Sequence, residues 1–153
     1  MSPVTSNEQP RSVAHELNAR TLLLPYLLGL VGLCALVQLY IVLDGNHISL
    51  GSELLTGGVA LYFAGFLWMR REPLGQIRFA RLVAHAATYA TVITSYQLHA
   101  AILAMTGSSA LQGQGYLPID DGWFGATLAM AGFWGLGLTM HAIASIAQRG
   151  FES

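Results

Sequence analysis

LVAHAATYATVITSYQLHAAILAM, residues 82–105, holds no charged side chain, yet it carries two histidines, two tyrosines, three threonines, a serine and a glutamine. Whether it crosses a bilayer decides the fold. Its length suits the roughly 20 helical residues that span a hydrocarbon core of about 30 Å. Outward from it, the sequence is again uncharged from Thr21 to Leu43, from Leu54 to Met69 and from Gly122 to Gln148. Only 10% of the 153 residues are charged and 54% are hydrophobic, where an average soluble domain carries about 25% charged residues. A small water-soluble chain has no means of covering so much apolar sequence. The composition excludes a disordered chain, a nucleic-acid binder and an ordinary cytosolic enzyme.

The charge-free run around residues 82–105 continues to Ile119, too far for one helix, and the turn-forming Thr106-Gly-Ser-Ser, Gly113-Gln-Gly and Pro118 divide it. Four spans follow, at about 22–43, 52–69, 82–105 and 123–147, with Pro25 in the first turn of span one, where its missing N–H costs little. Arg11 and Arg20 precede span one, Arg70, Arg71, Arg78 and Arg81 join spans two and three, and Arg149 follows span four. The opposite loops carry Asp44, Glu53, Asp120 and Asp121 and no positive charge. Positive charge marks cytoplasmic loops. The expected fold is thus an all-α integral membrane protein, an up-down bundle of four transmembrane helices with both termini cytoplasmic. Residues 1–20 form a cytoplasmic tail, and the expected location is a prokaryotic inner or plasma membrane. Trp123 and Tyr116 are placed at the far interface and Trp68 at the near one. The adjacent Asp120 and Asp121 read more simply as a solvated loop than as a cation site.

Lipid gives helices no hydrophobic reason to associate, so contacts depend on small residues and polar pairs. Span two offers Gly57, Gly58, Ala60, Ala64 and Gly65, and span four Gly125, Ala129, Gly132 and Gly135. These faces suit packing within the chain, against other membrane subunits, or in a homo-oligomer. Cys34, the single cysteine, permits no internal disulfide or CxxC motif and reads as small apolar packing.

Span three carries the chemistry. His85, Thr88, Val92, Ser95 and His99 recur at intervals of three and four residues, which places them within an arc of about 80° on a helix. Gln97 and Thr94 point elsewhere. An ionisable group at membrane depth is by default a candidate functional residue. His85 falls about 12 Å to the cytoplasmic side of the middle of span three, and His141 about 9 Å to the same side on antiparallel span four. Two neutral imidazoles at one depth on facing helices are what the axial ligands of a b-type haem require. His85 and His141 are therefore the expected haem-iron ligands, with Arg78 and Arg81 placed to meet propionates and a quinone as the alternative group. His99 lies about 9 Å beyond the midplane, opposite Met130, and is a third candidate cofactor-binding residue. The spacing of His85 and His99 resembles that in two-haem membrane cytochromes of the b type, where one helix gives a ligand to each of two stacked haems. The likeness covers one helix and one spacing, since span four supplies only His141.

The plainer reading of the stripe is a row of polar fasteners between helices or subunits. His15 sits in a polar tail, and His47 follows the turn sequence Asp44-Gly-Asn and is expected in solvent. No Walker loop, GxGxxG turn, HExxH motif or GxSxG elbow occurs, and without lysine there is no Schiff-base chemistry. Two functions from different classes remain. One is a small membrane subunit of a larger complex in electron transfer, with haem or quinone between spans three and four. The other is a non-catalytic accessory or assembly subunit. A small oligomeric transporter ranks behind both, because no span carries a mid-helix breaker of the sort that builds a substrate site.

Overall fold

The computed structural model describes residues 19–77 and 79–149, so Arg11, His15 and the rest of the expected tail before residue 19, together with Arg78, lie outside the described residues. Among these, the chain is helical and without strands, and one isolated bridge pairs Gln112 with Ile119. Helix α1 is Ala19–Leu43, α2 Leu50–Met69, α3 the short Arg71–Gln76, and α4 Ala80–Met105. After a 3-10 turn at Ser109–Leu111, the last long helix is a composite: α5 at Asp121–Phe124, a π turn at Gly125–Ala129, and α6 at Met130–Arg149. Pro25 lies inside α1 rather than in its first turn, because the helix begins earlier than the hydrophobic run.

Among the described residues, three stretches are long and apolar enough to cross a membrane: Arg20–Leu43, Leu50–Met69 and Asp121–Ala147. Helix α4, with 26 residues, matches them in length and differs in its polar side chains. The outer surface is apolar. Leu28, Leu36, Leu61, Phe133 and Leu136 are each more than 60% exposed. A side chain of this kind gains about 1.5–3 kcal/mol on leaving water, so the surface belongs in an apolar surrounding.

Inside, α1 buries Leu23, Tyr26, Leu30, Cys34, Val37 and Ile41, one seam at helical spacing. It meets the buried row of α4, Ala84, Thr88, Val92, Tyr96 and His99. Cross-helix pairs fix the directions. Tyr26 meets Thr88 and Gln38 meets His99, so α1 and α4 run parallel. Tyr26 stacks on Phe66, and Gln97 reaches Thr127 while His85 meets His141, so α2 and the composite helix run the other way. The long helices thus alternate in direction. Helix α2 packs on α1, α1 on α4 and α4 on α6. This arc leaves a groove between α2 and α6.

Asp120 is a helix cap: its Oδ1 accepts from the N–H groups of Gly122 and Trp123 at 3.1 and 3.3 Å. Trp123 differs from expectation, being fully buried rather than interfacial, whereas Tyr116 and Trp68 are exposed. The guanidinium of Arg71 lies 5.4 Å from the Trp68 ring centre. In the preceding loop, the Gly113 N–H donates to the Pro118 carbonyl. A Cβ at Gly113 would lie 2.1 Å from the Leu117 oxygen and 2.7 Å from that of Ile119. Gly113→Ala is therefore expected to cost about 1–3 kcal/mol, read as a lower melting temperature in detergent. Gly115→Ala, with nothing within 4 Å of its Cβ, is the neutral control.

Candidate functional site

The single polar seam expected on α4 separates into two clusters at opposite ends, joined by hydroxyl pairs. In the middle, the Thr88 hydroxyl donates to the Ala84 carbonyl, so the Tyr26 hydroxyl donates to Thr88 at 2.5 Å. By the same reasoning Tyr96 donates to Thr56, whose own proton goes to the Ser52 carbonyl.

The cluster toward the end of α4 is built around His99. Gln38 Nε2 donates to Ser95 Oγ at 3.2 Å, which turns the amide oxygen toward His99 Nδ1 at 2.8 Å. His99 Nε2 lies 3.1 Å from the Asn46 side chain. A neutral ring takes this position with the Asn46 amide nitrogen donating; a protonated ring takes it with two oxygens accepting. Asn46 itself has a left-handed backbone, φ 64°, which Asn tolerates. Its carbonyl accepts from Trp123 Nε1 at 2.9 Å, and the Trp123 ring lies edge-on to His99 at 5.0 Å. His99, a candidate ligand from the sequence, is thus saturated by neighbours and meets neither His85 nor His141. Gln38→Leu removes its acceptor and is expected to cost about 1–3 kcal/mol, measured as a lower melting temperature.

The second cluster brings the other two candidates together. His85 of α4 and His141 of α6 have ring centres 4.6 Å apart with planes tilted by 41°. Phe63 of α2 packs edge-on to His85 at 4.8 Å. His85 Nδ1 lies 2.8 Å from the Arg81 carbonyl, one turn back. A carbonyl can only accept, so Nδ1 carries the proton and Nε2 presents a lone pair. His141 is exposed and makes no hydrogen bond to a described residue. Among the described residues no group of three or more His, Cys, Asp or Glu converges on one point.

Two cavities share this pair. On one side lies an apolar groove of about 340 Å³ between α2 and α6, floored by α4 and walled by Phe63, Tyr89, Phe133 and Trp134. On the other is a more polar cavity of about 420 Å³ lined by Leu74, Phe79, Arg81 and Ser145. The groove is held open by contacts along α4 and α6. Gln97 Nε2 donates to the Thr127 carbonyl inside the π turn at 2.8 Å, and the Tyr89 hydroxyl donates to that of Ala131 at 3.2 Å. Gly135 lets Tyr89 lie against α6, since a Cβ there would stand 3.2 Å from the tyrosine oxygen.

No family model, curated protein or solved structure matches this chain.

The sequence does not mark Gln97 as a cross-helix donor, nor Gln38 and Asn46 as partners of His99. Gln97 lies off the arc of the stripe because it reaches sideways to α6. The one available signal was that a lone amide in an apolar span needs a partner.

Proposed function

We propose that this chain is a four-span integral membrane subunit of a larger membrane complex, related to electron transfer, which holds a redox group at the His85–His141 pair. In this reading α4 crosses the bilayer with its polar row turned inward. Both termini face the cytoplasm, in a prokaryotic inner or plasma membrane, and the histidine pair lies in the cytoplasmic half. The observation that carries it is the meeting of two imidazoles from separate helices at the head of an aromatic groove open toward lipid. Polar groups at this depth are otherwise expensive, and this pair is not consumed by neighbours as His99 is.

Two groups come into question. Two imidazoles that ligate one haem iron stand on opposite faces of a porphyrin. With centres 4.6 Å apart these rings touch, so haem b requires His141 to swing toward its exposed side. A quinone needs no such movement: a flat head fits among Phe63, Tyr89 and Trp134, with the tail leaving between α2 and α6. The groove therefore favours the quinone form. His85 Nε2 would accept a hydrogen bond from a hydroxyl of the reduced quinol form, and a ring N–H of His141 would donate to an oxygen of either form. A quinone supplies two-electron, two-proton chemistry when bound.

The experiment is a reduced-minus-oxidised absorbance spectrum of gently extracted protein, paired with solvent extraction and chromatography of bound quinone. Quinone near one per chain, or a haem α-band, is the expected result. Neither in protein purified from native membranes contradicts the redox reading.

The accessory-subunit reading is favoured by a separate observation. Cβ atoms built on Gly57, Gly58, Gly65, Gly125 and Gly132 meet nothing within 4 Å. These glycines do not serve packing within the chain, so their faces are free for the helices of a neighbouring subunit. Gly58→Leu is expected to release co-purifying subunits after mild solubilisation while helix content by circular dichroism stays unchanged.

A further inference from the structure

The polar cavity below the histidine pair has a chemistry of its own. It is lined by Arg81, both histidines and Ser145, with Leu74 and Phe79 as apolar walls, and among the described residues no carboxylate lines it. Arg81 is held in place: its Nη2 donates to the Arg71 carbonyl at 3.0 Å, and a Cβ at Gly75 would lie 3.5 Å from the same nitrogen. That contact uses one of five guanidinium donors. The remainder stay available, and among the described residues no carboxylate pairs with Arg81. An uncompensated guanidinium with a hydroxyl and the His141 imidazole beside it is a donor set for a tetrahedral oxyanion.

We propose that this cavity is a phosphate-binding site, with Arg81 as principal cation and Ser145 and His141 as further donors. Its depth follows from the orientation above. At the cytoplasmic end of α4 it lies at headgroup level, where phosphate arrives either on an anionic phospholipid or free from solution. The cavity shares the histidine pair with the groove, but Arg81 and Ser145 line the cavity alone, so the site rests on those two whether or not a redox group occupies the groove.

The test uses the full chain purified in detergent, with two probes. Native mass spectrometry compares retention of phosphatidylglycerol with that of a galactosyl diacylglycerol, which lacks phosphate. Inorganic phosphate is titrated separately against the melting temperature. Loss of one charge-assisted contact is expected to lower phosphatidylglycerol retention about tenfold in Arg81→Gln. Arg81→Lys should keep most of it, and Ser145→Ala should weaken it less. Arg70→Gln, at the same end of the bundle but outside this cavity, should leave retention unchanged, and circular dichroism checks that each variant is folded. Preference for phosphatidylglycerol without a phosphate effect identifies a lipid headgroup site. A melting shift with inorganic phosphate, lost in Arg81→Gln, identifies a free-anion site. Equal retention of both lipids together with no phosphate shift, or full retention in a folded Arg81→Gln, overturns the proposal. Because neither probe reads haem or quinone, failure here leaves the redox reading standing, and the reverse is also true.

Discussion

His85→Ala is expected to empty the groove of its redox group, lowering the amount retained through purification by about tenfold to a hundredfold. The side chain has three connections: Nδ1 to the Arg81 carbonyl, the edge of Phe63 on its face, and His141 in ring contact. The first is local to one helical turn and fixes the tautomer. The second and third place Nε2 at the head of the groove. Removing the imidazole deletes that lone pair, and leaving the group's buried donor unpaired costs about 1–3 kcal/mol, which is the stated factor. For haem the loss would be complete, because an axial ligand is gone. His141→Ala should show a similar loss. His99→Ala is the contrast: its ring is bonded to Gln38 and packed on Trp123, so it should lower the melting temperature and leave retention per folded chain unchanged. Equal retention in wild type and His85→Ala would remove the histidine pair from the site.

Trp123→Ala is expected to cost about 3–5 kcal/mol, the range for a large aromatic deleted from a core. Trp123 is 0% exposed. Its indole N–H is committed to the Asn46 carbonyl, and its ring borders both His99 and Tyr96. One side chain therefore ties the α1–α2 turn, the end of α4 and the start of the composite helix. Its loss leaves a cavity and an unpaired carbonyl together. A fall in the circular-dichroism melting midpoint larger than that of Gln38→Leu is the expected result. Trp68→Ala, on the exposed surface, should change it little. A small effect at Trp123 would mean that this end is not packed as described.

The helices were legible because charge marks their limits: Arg70 and Arg81 lie just beyond α2 and within the first turn of α4, and Asp121 opens the composite helix. The common level of His85 and His141 is legible from depth, since 1.5 Å per residue fixes level once helix direction is known; the contact between their rings is not. Placing His99 on the same seam was less successful. An arc of residues on one helix says nothing about which neighbour each residue faces, and α4 has neighbours on several sides. Residue type suits Trp123 to the interface, and its burial inside the bundle at the start of the composite helix is set by packing that residue type does not record. The α3 helix and the π turn were not legible. The former is a short loop element, and the latter differs from ordinary helix by a shift in hydrogen bonding that no side-chain pattern records.

A redox site inside the membrane requires α4 to cross the bilayer, although it is the least apolar of the long helices. Fusing a fluorescent reporter that matures only in the cytoplasm, and a phosphatase active only outside it, to each end of the chain tests this directly. Four crossings put both ends on the cytoplasmic side, fluorescent and without phosphatase activity. Ends on opposite sides would mean that only the three apolar stretches cross, and would take His85, one half of the histidine pair, out of the membrane.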